Sequence, residues 1–329
     1  MARLAPYRQT DARRAIFEII ITIVPFIAVW AAMYWLYQYS VLASWLLAPL
    51  AAGLMVRLFI IQHDCGHSSM FESRDANDWV GRALGVLTMT PYDYWRRSHA
   101  LHHASSGNLD RRGIGDITTL TVEEYNALGF WRRLGYRIYR HPVVLFGIGP
   151  AWLFIICHRL PLTSALRGDL PWLSTMGTNL GIAALYGVMM YAVGPVAFLM
   201  IQLPIVALAA SLGVWLFYVQ HQFEEAHWER QPDWNHQDAA LEGSSFYDLP
   251  RPLMWLTGNI GIHHVHHLSS RIPFHQLPRV MKDFPELKDM NRFTFWQSLA
   301  CVKLTLWDEK ARELISFRDA RNRPASAAA

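Results

Sequence analysis

The chain has 329 residues, of which 52% are hydrophobic and only 17% are charged. Soluble domains usually carry about 25% charged residues, so these figures exclude a purely water-soluble globule. The 14 tryptophans, 13 tyrosines and 16 phenylalanines exclude an intrinsically disordered chain. A formal net charge of +4 is too small to indicate a nucleic-acid-binding protein.

The cysteines and the glycine pattern exclude several common classes. Three cysteines are too few for a disulfide framework, and their odd number fits a reducing compartment. The sequence has no Cys-x-x-Cys and no Gly-x-Gly-x-x-Gly, the patterns typical of zinc ribbons and dinucleotide-binding folds. Only four of the 30 basic residues are lysines, a bias typical of a GC-rich bacterial genome.

Four apolar runs are long enough to cross a bilayer, which takes about 20 residues. They are 15–37, 41–61, 176–193 and 196–220. Glu18 interrupts the first run and Arg57 lies near the end of the second, where we expect it to extend to the lipid headgroups. The first run is too long for the core of a signal peptide and no cleavage site follows it, so we expect it to be retained.

The arginines indicate how the spans are oriented. Four precede the first span and twelve lie between 74 and 167, whereas the connections 38–40 and 194–195 carry none. The positive-inside rule then places the N-terminus, the middle loop and the C-terminal third in the cytoplasm. A fifth apolar run, 142–157, is short and broken by glycines and a proline, so we interpret it as re-entrant or interfacial. The alternative is a true span.

Histidines are concentrated in three short boxes. The first is His63-Asp64-Cys65-Gly66-His67, directly after the second predicted span. The second is His99-Ala100-Leu101-His102-His103 and the third is His263-His264-Val265-His266-His267. A further His221 follows the fourth span. Four spans put all of these histidines on one side of the membrane, where they can converge.

The spacings within the boxes indicate metal ligands. Residues four apart, such as His63 and His67, lie one helical turn apart on one face. In His-x-x-His-His, the last histidine is rotated by about 100° from the first face, so such a triplet can serve two adjacent ions. Imidazole is a ligand for iron, zinc, copper and nickel, and this many histidines exceeds the four ligands of a zinc site. The pattern therefore predicts two adjacent metal ions.

Simpler interpretations apply to some of these residues. A surface chelating tract is an alternative for the boxes, but such tracts are usually low in complexity and lie in tails. Five isolated histidines are interpreted as ordinary surface or core residues: His141, His158, His227, His236 and His275. His264 is interpreted as a neighbour of the ligands, because the third box needs only His263, His266 and His267.

The three boxes, in this order around four spans, resemble those of the membrane fatty acid desaturases. The similarity covers about 62–278, including Trp95 and Arg96 before the second box and 217–224 around His221. It continues through 258–263 and 271–273 around the third box, where the doubled His263-His264 departs from the family pattern. The flanking residues resemble the bacterial acyl-lipid group that is related to omega-6 (Δ12) desaturases.

The resemblance implies a function and a ligand set. It implies that two non-haem irons activate O2 and that a cis double bond is inserted into a fatty acyl chain, which is lipid-linked in the acyl-lipid group. It also implies that His221 is a ligand. The full set is His63, His67, His99, His102, His103, His221, His263, His266 and His267.

The chemistry agrees with this resemblance and requires an external reductant. An unactivated methylene loses hydrogen only to a strong oxidant, which no side chain supplies. The chain has no flavin motif and no His-Pro-Gly-Gly of a fused cytochrome b5, so a separate ferredoxin or cytochrome b5-like carrier with its reductase is expected. Six arginines could attract an acidic ferredoxin, or simply reflect the positive-inside rule and contacts with lipid phosphate. They are Arg96, Arg97, Arg111, Arg112, Arg132 and Arg133.

Two further sets of residues are candidates for the site. A metal-bound imidazole usually donates its other nitrogen to an oxygen, so Asp64, Glu224, Glu225 and Asn259 are expected to orient the ligands. An acyl chain must rise from the bilayer through a narrow apolar tunnel, for which 86–94 and 146–156 offer walls. The tunnel candidates are Leu87, Met89, Tyr92 and Tyr94. The alternative is that both segments only pack against lipid.

Two other functions remain open at this point. A hydroxylase or ketolase acting on acyl, alkyl or carotenoid substrates would use the same ligands, although the flanks of the boxes favour desaturation. A membrane metal transporter or sensor would need polar residues within several spans. The third and fourth runs offer only Asn179, Gln202 and small hydroxyls.

The predicted fold is an all-α integral membrane protein of the bacterial inner membrane. A single domain, 1–329, comprises four transmembrane helices and a cytoplasmic helical cap that holds the histidine-rich centre for two metals. The cap is expected from 62–175 and 221–320, and a flexible tail from 321–329.

Overall fold

A computed structural model describes residues 2–161 and 168–322. Four helices in it are long and apolar enough to cross a membrane: Ala12–Tyr37, Val41–Gly66, Asp169–Val193 and Pro195–His221. The prediction of four helices able to span the membrane is therefore confirmed. Most of the tail predicted from 321 lies outside the described residues, since the description ends at 322.

The bounds of two spans differ from the sequence-based expectation. The second consists of α2 (Val41–Trp45) and α3 (Ala48–Gly66), and Pro49 lies in the first turn of α3, where its missing N–H is not needed. Because α3 continues to Gly66, the first histidine box belongs to the helix instead of following it. The third span begins at Asp169 instead of 176, with Pro171 in its first turn.

The second span is the centre of the helix bundle. It packs against α1 (Ala12–Tyr37) and α10 (Pro195–His221), and 67% of its apolar window is buried. By contrast, only 6% of the corresponding window of α9 (Asp169–Val193) is buried, so that helix presents its apolar side chains outward. The exposed leucines, valines and isoleucines of α1 and α9 are therefore a lipid-facing surface.

Arg57 does not extend to the headgroups, and that expectation is wrong. Its side chain is 1% exposed and forms an ion pair with Glu18 of α1, which also pairs with Arg14. The guanidinium donates to the carbonyl oxygen of Trp255 and lies 4.2 Å from the centroid of the Trp255 ring. A buried partner on a neighbouring helix thus replaces the headgroups.

The fifth apolar run is part of a bent segment. Helix α7 (Phe130–Tyr139) is followed by a π-helical turn at Val144–Ile148, α8 (Gly149–Ile155) and a 3-10 turn at Cys157–Arg159. The two arms meet at 59°, a geometry that suits either a broken span or a re-entrant loop. The re-entrant interpretation stays a prediction.

The remaining helices lie outside the four spans, in the segments that we expected to form the cap. They are α4 (Arg74–Leu87), α5 (Tyr92–Ser105), α6 (Val122–Ala127), α11 (His236–Leu241), α12 (Arg251–Leu256), α13 (His263–Leu268), α14 (Leu277–Asp283), α15 (Phe295–Ser298) and α16 (Phe317–Asn322). Three further 3-10 turns lie at Ala2–Arg8, Pro285–Leu287 and Leu299–Lys303. The fold is thus predominantly helical, as predicted.

One of two small sheets joins the segments that lie before the third span and after the fourth. Strand β1 (Leu120–Thr121) pairs in parallel with β4 (Leu306–Asp308), which pairs antiparallel with β5 (Glu313–Ile315). Strand β2 (Phe246–Asp248) pairs in parallel with β3 (Arg292–Thr294), with Phe246 opposite Arg292. Because β1 and β4 come from different segments, the first sheet connects the residues around 120 with those around 306.

Candidate metal centre

Nine histidines converge at the ends of the second and fourth spans. They form two groups within which all ligand nitrogens lie within 4.8 Å of one another. The first group is His63, His67, His99, His103 and His266, and the second is His102, His221, His263 and His267. These are the nine histidines singled out from the sequence, and within the described residues neither group contains a carboxylate or a cysteine.

The helical spacing divides each box between the two groups. On α5, His99 and His103 are four residues apart and join the first group, whereas His102 points to the second. On α13, His263 and His267 are four residues apart and join the second group, whereas His266 points to the first. Each triplet therefore serves both groups, as a rotation of 100° per residue requires.

The facing nitrogens have separations that suit shared metal ions. In the first group, Nε2 of His99 lies 3.1 Å from Nε2 of His67 and 3.0 Å from Nε2 of His103. In the second, Nε2 of His221 lies 3.2 Å from Nε2 of His102 and 3.0 Å from Nε2 of His263. Two imidazole nitrogens bound at right angles, each about 2.1 Å from one ion, would be about 3 Å apart.

Desolvation favours the neutral form of the histidines in the first group, which suits metal binding. Burial lowers the pKa of His67 to about 3 and holds the pKa values of His99, His103 and His266 well below the ordinary value. A neutral imidazole has only one N–H, so converging nitrogens cannot all satisfy one another by hydrogen bonds. A cation between them accepts every lone pair at once, and the donor set therefore fits a metal.

Three oxygens contact the Nδ1 atoms of ligand-group imidazoles. Nδ1 of His63 lies 2.9 Å from Oδ1 of Asp64, and Nδ1 of His102 faces Oδ1 of Asp116. Nδ1 of His221 lies 3.4 Å from the carbonyl oxygen of Gly243. A proton on each Nδ1 leaves the lone pair on Nε2, which is the nitrogen that faces the other ligands.

The other residues expected to orient ligands lie farther away. Glu224 and Glu225 are exposed, and the Gly243 carbonyl occupies the position beside His221 that we expected Glu224 to take. Asn259 is connected to Asp64 only through the backbone of Phe274, because its Nδ2 donates to the carbonyl oxygen of Phe274 at 3.4 Å. The backbone N–H of Phe274 in turn donates to Oδ2 of Asp64 at 2.6 Å.

Three residues that contact the histidines were not predicted as site residues from the sequence: Asp116, Trp95 and Phe217. Trp95 stacks on His99 with ring centroids 4.7 Å apart, and its position four residues earlier on α5 was the signal that could have revealed it. Phe217 lies one turn before His221 and packs against His102 and His221 at 5.0 and 5.2 Å. Asp116 lies in a loop, where no periodicity marks it.

His264 and the tunnel candidates lie outside both groups. Nε2 of His264 faces the carbonyl oxygen of Leu287 at 3.0 Å, as a neighbour of the ligands would. Tyr92 is fully buried and its hydroxyl donates to Oδ1 of Asp78 at 3.0 Å, which holds the ring between α4 and α5. Met89 is 7% exposed, and Leu87 and Tyr94 are half-buried.

Comparisons with known proteins agree with this arrangement. The family model described as fatty acid desaturase matches residues 40–298. The chain is 41% identical over 324 residues to a fatty acid desaturase of Bacillus subtilis (strain 168), covering 98% of this chain and 92% of that protein.

Two cyanobacterial proteins from Synechocystis sp. are also similar. The chain is 28% identical to an sn-1 acyl-lipid omega-3 desaturase (ferredoxin), over 78% of this chain and 74% of that protein. It is 27% identical to an sn-1 oleoyl-lipid 12-desaturase, over 67% of this chain and 62% of that protein. The chain has four candidate membrane-spanning helices and a histidine-rich centre, belongs to the fatty acid desaturase family and is a membrane-bound oxidoreductase of that family.

Proposed function

We propose that this desaturase uses O2 and two non-haem irons to insert a cis double bond into a lipid-linked fatty acyl chain. The observation that carries the proposal is the pair of adjoining, wholly imidazole groups, five histidines in one and four in the other. Relatives named as acyl-lipid and oleoyl-lipid desaturases support a lipid-linked substrate.

The size and chemistry of the donor set favour iron over zinc. A structural zinc has four protein ligands and a catalytic zinc has three, whereas nine histidines are available here. Imidazole is also a suitable ligand for iron that reacts with O2. When bound, the irons supply the oxidising power for removing hydrogen from an unactivated methylene, which no side chain provides.

The chain's own residues prepare the ligands and protect them. We propose that Asp64 and Asp116 accept the Nδ1–H of His63 and His102, which fixes the tautomer and the ring orientation. Asn259 acts indirectly, by holding the Phe274 peptide that binds Asp64. Trp95 and Phe217 exclude water from the histidine rings that they cover.

The acyl chain is proposed to approach along the segment before α5. Leu87, Met89, Tyr92 and Tyr94 are the candidate tunnel residues, and the third span packs against this segment, because Gly181 lies against Val86. The buried hydrogen bond of the Tyr92 hydroxyl fixes the position of that ring. A fixed ring suits a tunnel wall that holds the acyl chain in register.

Electrons are proposed to come from a separate ferredoxin or cytochrome b5-like carrier with its reductase. Three of the similar proteins carry the word ferredoxin in their names. Three of the six arginines considered for docking are already engaged: Arg96 with Asp78, Arg112 with Glu124, and Arg133 with backbone carbonyls. The exposed Arg97, Arg111 and Arg132 remain for a carrier.

The proposed location is the bacterial inner membrane, with the metal centre on the cytoplasmic side. The support is the distribution of arginines, since the connections between the first and second and between the third and fourth spans carry none. The cap and the spans are proposed to act as one domain.

The test is expression in a host that lacks the activity, followed by fatty acid analysis of the lipids and metal analysis of the purified protein. We expect new double bonds and close to two irons per chain, both lost in His63→Ala. Hydroxylated products would instead identify a hydroxylase on the same scaffold. One zinc per chain with full activity would overturn the proposal.

A further inference from the structure

An open cleft lies where the N-terminal segment meets the loops that follow the first and third histidine boxes. We call it the interfacial cleft; it measures about 420 Å³, and its lining includes Arg8, Thr10, Ser68, Phe71, Glu72 and Arg271. Arg8 and Thr10 precede α1, and Ser68 follows α3. The cleft therefore lies beside the ends of two spans, at the level where the phosphates of a bilayer leaflet lie.

Two guanidinium groups are available in the interfacial cleft. Arg271 is exposed, and within the described residues its side chain has no ion-pair or hydrogen-bond partner. Arg8 is half-buried and uses Nε to donate to Oγ of Ser269 at 2.9 Å, which holds the group in place and leaves its other nitrogens free. Two arginines on one cleft are suited to the bidentate binding of a phosphate.

The same cleft also contains a group of the opposite charge. Glu72 is exposed, and in the part of the chain that the structure describes its carboxylate has no partner. Phe71 lies next to it and lines the cleft too. A carboxylate beside an aromatic ring is suited to an ammonium group. The cleft thus combines sites for an anion and for a cation within one headgroup-sized volume.

We propose that the interfacial cleft binds the zwitterionic headgroup of a phospholipid, with the phosphate at Arg8 and Arg271 and the ammonium at Glu72. This inference rests on the proposed function and specifies the substrate as a phospholipid-linked chain. Ser68 directly follows His67, and Arg271 lies four residues after His267. The loops that hold the headgroup are therefore continuous with the metal ligands, which positions the acyl chain relative to the centre.

The test uses the full-length protein in detergent, with short-chain dicaproyl lipids titrated by calorimetry. We expect Arg8→Gln and Arg271→Gln each to weaken the binding of phosphatidylethanolamine and phosphatidylglycerol about tenfold, the effect of losing one charge-assisted contact. Glu72→Gln should weaken only phosphatidylethanolamine. Arg13→Gln is the matched control, because Arg13 is exposed at the same membrane level and does not line the cleft.

Three outcomes would overturn the inference. The first is an equal loss of affinity in Arg13→Gln, which would indicate an effect of general surface charge. The second is that the arginine variants lose as much affinity for a neutral galactolipid as for the phospholipids. The third is no loss of affinity in either arginine variant. Iron content and thermal midpoint are measured on the same samples, and a variant that loses either is replaced by the corresponding lysine variant. Absence of iron and of double bonds in the wild type would contradict the proposed function instead, so the two failures are distinguishable.

Discussion

At the scale of single residues, the arrangement of the third box depends on two adjacent histidines that point in different directions. His263 has its Nε2 3.0 Å from that of His221, whereas Nε2 of His264 faces the carbonyl oxygen of Leu287. Both side chains are buried, so exposure alone does not separate a ligand from its neighbour. The partner of each Nε2 is what distinguishes the ligand from its neighbour.

We expect His264→Ala to retain both metals and His263→Ala to lose the metal of the second group. The first variant leaves only the Leu287 carbonyl unsatisfied, at a cost of about 1–3 kcal/mol in the free energy of unfolding. Metal analysis of the two purified variants checks this. Loss of metal in His264→Ala with retention in His263→Ala would show that the register of the third box is wrong.

Asp116 offers a second prediction at this scale. Its carboxylate faces Nδ1 of His102, so Asp116→Asn should weaken metal binding by about 10- to 100-fold without removing a ligand. Competition with a chelator of known affinity measures the change. The exposed Asp233→Asn is the matched control, and an equal loss in both variants would mean that charge alone matters.

At the scale of elements, a buried ion pair connects the first span to the second and to the cap. Arg57 of α3 forms an ion pair with Glu18 of α1. Its guanidinium also donates to the carbonyl oxygen of Trp255 and lies 5.1 Å from the ring centroid of Phe274. The N–H of Phe274 holds Asp64, which orients His63. One contact chain therefore leads from the membrane interior to the metal centre.

We expect Glu18→Gln to destabilise the protein by about 3–5 kcal/mol, because it leaves the Arg57 charge buried and unpaired. The double variant Glu18→Gln with Arg57→Met removes both charges and should be less destabilised than the single one. Thermal unfolding of both proteins in nanodiscs measures the difference, with the exposed Glu123→Gln as control. A double variant less stable than Glu18→Gln would contradict this account.

How much of the structure the sequence could predict at this scale depends on the length of chain over which each sequence pattern extends. Hydropathy over 20 residues identified the spans, and the spacing of histidines within the three boxes identified eight members of the two groups, whereas His221 was expected only from the family resemblance. The partner of Arg57 could not be predicted, because Glu18 lies 39 residues away on another helix. Strands of two or three residues, such as β1 and β4, are too short to show alternation.

At the scale of the whole molecule, the bent segment determines which side of the membrane each part occupies. If it is re-entrant, residues on either side of it share one face of the membrane; if it crosses, they lie on opposite faces. Its arms meet at 59°, and Phe130 and Trp131 at its start are 71% and 78% exposed, as expected for a helix lying in the interface.

We expect Glu123→Cys and Asp233→Cys to be labelled from the same side of the membrane, and Gln38→Cys from the other. All three positions are exposed, and the background is Cys157→Ser, because Cys65 and Cys301 are buried. The measurement is the reaction with an impermeant maleimide in right-side-out and inverted vesicles. Labelling of positions 123 and 233 from opposite sides would establish a fifth span.

Three of the four helices that carry the ligands bring histidines to the centre at their C-terminal ends. His63 lies in the last turn of α3, His102 and His103 lie in the last turn of α5, and His221 ends α10. The C-terminus of a helix carries about half a negative charge from its aligned peptide dipoles. Three such ends face an all-imidazole ligand set, so the backbone supplies negative potential that carboxylate ligands would otherwise provide. If the proposed irons bind there, that potential would favour their higher oxidation state, and the proposed electron carrier would need a low redox potential to reduce them.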